Sequence, residues 1–132
     1  MNKNNRMRVY KKYNGHCAYC GRRIKLEDMQ IDHIHPKALS HFYKSLEMIK
    51  LHGLKGKNVD SFENLNPSCR RCNHYKRSLT LEEFRTDLLG NLHERVLNHY
   101  TVKVAVDYGI ITIKPFNKVF YFERFQDKEQ KV

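Results

Sequence analysis

Two Cys-x-x-Cys pairs, Cys17-Ala18-Tyr19-Cys20 and Cys69-Arg70-Arg71-Cys72, contain all four cysteines of this 132-residue chain and stand 48 residues apart (21–68). Four thiolates in this arrangement suit one tetrahedral zinc, and an ion shared between the pairs would pin two distant segments against each other. Any fold of the chain then has to bring residues 17–20 and 69–72 into contact. Two disulfides are the competing reading. A repeated Cys-x-x-Cys in a chain without a secretory apolar run near its start points instead to structural zinc and a reducing, cytoplasmic setting.

Lysine and arginine number 25 against 14 aspartates and glutamates, a formal charge of +11. Such an excess favours polyanions, because cationic side chains neutralise phosphates and release condensed counterions. DNA is the expected partner, with RNA left open. No apolar stretch approaches the ~20 residues a bilayer requires, so no membrane contact beyond an electrostatic one is expected. At this length a single domain over residues 1–132 is the starting expectation.

Along the chain, Arg6 to Tyr13 read as a short basic helix stopped by Asn14-Gly15, and Gly21 suits the tight turn of a zinc knuckle. Met29 to Ile34 look extended, with Pro36 ending the strand. Phe42, Leu46 and Ile49 suggest a helix between His41 and Gly53, followed by a loose basic stretch to Asn58. Lys50, Lys55 and Lys57 there could face substrate or only solvent. A helix is expected from Arg70 toward Leu79, and Thr80 with Glu83 resembles a capping box opening another. That helix carries Leu81, Phe84, Leu88, Leu92 and Val96, with a break at Gly90. The alternation of Val102, Val104 and Val106, a turn at Tyr108-Gly109, a return over Ile110 to Ile113 and a further strand over Val119 to Phe125 predict a small antiparallel sheet.

Three further motifs lie in order after the first cysteine pair: Asp32-His33, Asn64-Leu65, and Cys69 to Cys72 followed by Asn73. Over roughly Cys17 to Lys76 the chain resembles the HNH nucleases, in the branch whose ββα-metal core is clasped by a four-cysteine zinc site. The resemblance implies an α+β fold. Its HNH core would cover about residues 15–79, with a helical insertion over 37–61 and a C-terminal helix and small antiparallel sheet over about 80–125. The 48 residues between Cys20 and Cys69 exceed the family's usual short, glycine-rich link.

By the same resemblance, Cys17, Cys20, Cys69 and Cys72 hold structural zinc, while Asp32 and Asn73 hold a catalytic divalent cation. Oxygen ligands favour Mg²⁺ or Mn²⁺. His33 is the general base, since a neutral imidazole near pH 7 can take a proton from water. Asn64 has a supporting role, orienting the loop and the imidazole. Adjacent strand residues face opposite ways, so a bulge or strand end is expected where Asp32 and His33 must serve one phosphate. His35 could be a further ligand, a phosphate contact or a half-exposed histidine. His74 could be a ligand or a surface residue, and either histidine as a ligand would favour Ni²⁺ or Zn²⁺ in the catalytic position.

Arg22, Arg23, Lys37, Arg70, Arg71, Lys76 and Arg77 flank these motifs and are candidate phosphate contacts, against the alternative of a solvated face. Phe116, Phe120, Tyr121, Phe122 and Phe125 could stack bases, although a sheet core explains most of them. The expected function is metal-dependent hydrolysis of DNA phosphodiester bonds, leaving a 5′-phosphate and a 3′-hydroxyl. The alternative is a zinc-clasped nucleic-acid-binding module without cleavage. No separate specificity segment is evident, so cutting with little sequence preference, a homodimer formed through the C-terminal sheet, or a separate specificity partner is the accompanying expectation.

Overall fold

In the computed structural model, which describes residues 2–36 and 59–130, the chain opens with the expected basic helix, α1 (Lys3–Lys11). The Asn2 side chain caps it by accepting from the Asn5 amide at 2.8 Å. Arg6 and Lys12 turn inward while Lys3, Arg8 and Lys11 stay exposed. Arg6 donates to the Leu26 and Met29 carbonyls at 2.9 and 2.6 Å, and Lys12 donates to those of Phe62 and Leu65 at 3.0 and 2.7 Å. Part of the basic excess therefore fastens loops to one another. Asn14 and Gly15, both in left-handed conformation, end the helix segment as the Asn-Gly pair predicts.

A tight hairpin follows, with His16 paired to Arg23 and the Cys17 amide donating to the Arg22 carbonyl at 2.8 Å. Gly21 turns it at φ +79°, and a Cβ there would come within 2.8 Å of the Tyr121 ring, so conformation and close approach both require glycine. Two antiparallel strands come next, β1 (Gln30–His33) and β2 (Leu65–Ser68), in the register Ile31↔Pro67, Asp32↔Asn66, His33↔Leu65. The helix expected after the second cysteine pair is α2 (Arg70–Lys76), which packs on β1. It stops three residues short of Leu79 because Arg77 takes φ +52°. The insertion helix expected over His41–Gly53 lies outside the described residues, as do Lys37, Lys50, Lys55 and Lys57.

Residues Leu81–Val119 cluster as one compact unit, while Met1–Thr80 and Phe120–Val132 form another. The first of these is helical. A widened turn over Glu83–Leu88, in which the Leu89 amide reaches back to the Phe84 carbonyl at 3.0 Å, runs into Gly90. Any Cβ at Gly90 would meet the Thr86 carbonyl at 2.4 Å, which explains the break read there. Then come α3 (Leu92–Leu97) and α4 (Tyr100–Asp107).

The C-terminal sheet expected from the valine alternation is absent among the described residues. Val102, Val104 and Val106 lie in α4, where Val102, Ala105 and Val106 are its less exposed residues, at helical spacing. Val119 to Phe125 is likewise not a strand. It leads into α5 (Tyr121–Gln130), started by the Glu123 carboxylate accepting from the Phe120 amide at 2.8 Å, half of a capping box.

The start of α5 returns to the first cysteine pair: the Phe122 amide donates to the Ala18 carbonyl at 2.8 Å. The buried rings of Phe120 and Phe122 stand edge-on to Tyr19, with centroids 5.4 and 5.9 Å away, and Tyr13 meets Phe122 and Phe125. These aromatics are core, as expected in place of base stacking, but they pack around the start of a helix and not in the small sheet the sequence predicted. No described helix is long and apolar enough to cross a membrane.

Candidate metal centre and the polar network beside it

The four cysteines converge. Their sulfur atoms all lie within 4.8 Å of one another, Cys20 and Cys69 being 3.9 Å apart, and none forms a disulfide. A zinc tetrahedron with bonds of ~2.3 Å has edges of about 3.8 Å, so the spacing suits one shared ion. Each knuckle turns an amide onto sulfur: Arg22 N–H donates to Cys20 Sγ at 3.5 Å and Cys72 N–H to Cys69 Sγ at 3.4 Å. Cys69 thereby doubles as the N-cap of α2. Contact between the thiols drives their proton affinities apart. Hydrogen bonds from Cys20 and Cys72 hold Cys17 far below the thiol range, and being those donors pushes Cys20 up to about 11 and Cys72 higher still. Four adjacent sulfurs cannot all ionise without a cation among them, which is the donor chemistry of a structural metal site.

Beside the knuckle lies a buried polar network. Asp32, 5% exposed, is met by the Tyr19 hydroxyl and by the Lys76 ammonium at 3.1 Å, both on Oδ2. Lys76, fully buried, also donates to the His33 carbonyl at 3.0 Å. Burial pushes the Asp32 carboxyl up, and Lys76 followed by Tyr19 pulls it back; burial pushes the Lys76 ammonium down, and Asp32 opposes that. Asn66, fully buried opposite Asp32 in the strand register, lies beside the Tyr19 hydroxyl. The expectation that Lys76 contacts nucleic acid is therefore corrected. Its place on the last turn of α2 directs its side chain inward to β1, where a buried carboxylate holds it. Asp32 Oδ1 makes no hydrogen bond among the described residues.

His33 ends β1 and turns the other way, its Nε2 lying 2.9 Å from Asp60 Oδ1. The bulge or strand end expected to aim both side chains at one phosphate is not found: regular pairing through His33 leaves the two neighbours on opposite faces. Fully buried Asn64 holds the turn beyond: its Oδ1 accepts from the His35 amide at 2.8 Å, and its Nδ2 donates to the His35 and Val59 carbonyls at 3.1 and 2.6 Å. Half-buried Asn73 sits in the first turns of α2, its side chain making no hydrogen bond among the described residues, and His74 is exposed. No hydrogen bond joins Asp32, His33 and Asn73. Among the described residues the cysteines alone form a cluster of three or more cysteine, histidine or carboxylate ligands.

Of the basic candidates, Arg22, Arg23 and Arg70 line one open cleft of about 510 Å³ together with Lys25, Glu27, Asp28 and Gln30, next to Cys69. Arg22 is fully exposed, and the Cys69 sulfur favours its charge. Arg71 and Arg77 are exposed outside that lining, and Lys37 lies outside the described residues.

Sequence reasoning missed Tyr19, Asp60 and Lys25. Tyr19 could have been found, since the residues inside a zinc knuckle are held as firmly as its ligands; Asp60 carries no local signal, being 27 residues from the histidine it meets. Comparison with protein-family models, curated proteins and solved structures returned no match.

Proposed function

We propose that this chain is a zinc-clasped, metal-dependent endonuclease of the HNH kind that hydrolyses phosphodiester bonds in DNA. The observation that carries the reading is the order of its elements around the four sulfurs. Asp32-His33 ends β1, Asn64 immediately precedes β2, and Asn73 lies in α2, with β1 paired to β2 and packed by α2.

Within that reading, Asp32 Oδ1 and the Asn73 side-chain carbonyl hold a hard divalent cation, Mg²⁺ or Mn²⁺ by donor type. Such an ion, when bound, polarises the scissile phosphate and steadies the leaving oxygen. In the tautomer whose Nε2–H donates to Asp60, His33 presents Nδ1 as the base that takes the proton from the attacking water. Asn64 fixes the turn that follows His33 through the His35 amide and the Val59 carbonyl, and so supports the backbone from which the imidazole projects. Arg22, Arg23 and Arg70 supply a basic cleft for the phosphate backbone.

A second reading, a nucleic-acid-binding module without cleavage, is favoured by one feature: Asp32 already has an ammonium partner in Lys76, and no hydrogen bond links Asp32, His33 and Asn73. End-labelled duplex DNA incubated with Mg²⁺, Mn²⁺ or EDTA separates the two. The nuclease gives cation-dependent products that ligase can rejoin through 5′-phosphate ends, whereas bound but intact DNA in both metals selects the binding module.

A further inference from the structure

We infer that Tyr19 is a positioning residue through which the zinc knuckle aims the cation-holding carboxylate of Asp32, an assignment that rests on the nuclease reading above. Tyr19 stands between Cys17 and Cys20, so an ion held by the four sulfurs would also fix its backbone from both sides. Three further contacts leave this segment little freedom. The Ala18 amide donates to the Pro67 carbonyl of β2 at 2.8 Å, and the Tyr19 carbonyl accepts from the Tyr121 amide at 3.2 Å. The Tyr19 ring, 4% exposed, is held edge-on against Phe120 and Phe122. From that seat the hydroxyl donates to Asp32 Oδ2, and Lys76 donates to the same oxygen from α2 at 3.1 Å.

Two donors converging on one carboxylate oxygen from different elements fix the rotation of the group, and Oδ1 is left at a set position. Groups that orient a metal ligand from behind contribute about 10–100-fold to metal affinity. Tyr19 therefore couples the two metal positions: holding the sulfurs together keeps the carboxylate aimed, and releasing them lets it turn. Lys76 alone does not do this, because its stem comes from α2 and carries no link to the first knuckle.

The test is Tyr19→Phe, which keeps the ring and its edge contacts and removes only the donor. Zinc per chain is measured by atomic emission, and Mn²⁺ affinity directly by electron paramagnetic resonance, in four proteins: wild type, Tyr19→Phe, Asp32→Asn and the double variant. Expected are full zinc in all four, Mn²⁺ binding weaker by about 10–100-fold in Tyr19→Phe, and no added loss when Tyr19→Phe is placed on Asp32→Asn. In cutting assays Tyr19→Phe should need correspondingly more Mn²⁺ while approaching the wild-type rate at saturation. Unchanged Mn²⁺ affinity in Tyr19→Phe overturns the assignment, as does an equal loss on the Asp32→Asn background or a loss of zinc, either of which makes Tyr19 a fold element. Wild-type protein that binds no Mn²⁺ overturns it as well. If Mn²⁺ binds and responds as expected while DNA is never cut, the nuclease reading fails and the Tyr19 assignment stands.

Discussion

Replacing Lys76 with Met tests the buried pair at the centre of the network. Lys76 is fully buried and Asp32 nearly so, and their contact at 3.1 Å is joined by the ammonium's bond to the His33 carbonyl at 3.0 Å. Methionine fills most of the stem's volume, so little cavity cost is added, but Asp32 is left as a buried charge with the Tyr19 hydroxyl alone. Breaking one side of such a pair costs about 3–5 kcal/mol. At roughly 2.1 cal/mol/K of unfolding entropy per residue, a 132-residue chain should lose about 10–20 °C in Tm. Circular dichroism melts of the zinc-loaded protein measure this. The loss must also depend on pH with a definite sign. Burial already raises Asp32 above its ordinary 3.8, and removing Lys76, the largest influence pulling it down, raises it further. The folded variant then binds the Asp32 proton more tightly than the unfolded chain does. Its deficit against wild type at the same pH is smallest below 3.8 and grows as pH rises through the folded value. Adding Asp32→Asn, which removes the stranded charge, should recover most of the loss. A Lys76→Met deficit below about 1 kcal/mol, or a double variant no more stable than the single one, would refute the reasoning.

Other residues test other links. Cys69→Ser removes one of the four sulfurs and the thiol N-cap of α2 together, so zinc content and the folded circular dichroism spectrum should be lost in parallel; a folded, zinc-free protein would contradict the clasp. Phe122→Ala empties a site that is 4% exposed and touches Tyr13, Tyr19 and Phe120, and urea titration should show a loss of about 3–5 kcal/mol. Arg70→Ala in the basic cleft should leave stability unchanged while reducing the slope of log K against log salt for DNA binding by about 1.

The part around the four cysteines was legible because its signals are short-range and chemically demanding. Cys-x-x-Cys dictates a knuckle, Asn14-Gly15 a left-handed turn, Gly21 a tight turn, and the second cysteine pair a helix start, and each is found where the residues place it. The C-terminal segment misled because a run as short as Val102–Val106 fits a period of two and a helical period equally well. The helical signal was nonetheless present in the tail, in Glu123 three residues after Phe120, the spacing of a capping residue. Lys76 misled for another reason: a lysine on a short helix among arginines reads as surface, and only the fold brings it to a buried aspartate 44 positions earlier in the chain. Strand alternation was readable, but the irregular backbone expected to turn Asp32 and His33 toward one phosphate is not found, and their separate partners, Lys76 with Tyr19 on one side and Asp60 on the other, were not legible.

Relaxation of supercoiled plasmid by wild type and His33→Ala, side by side in Mg²⁺, Mn²⁺ and EDTA with DNA binding followed in the same samples, tests the nuclease reading most directly. His33 contributes no zinc ligand and no buried side chain, so its loss should leave fold and DNA affinity intact. Cation-dependent nicking by wild type that disappears in His33→Ala, with both proteins bound to DNA, is the predicted result. Equal cutting by the two proteins, or intact plasmid bound by wild type in both metals, would contradict it.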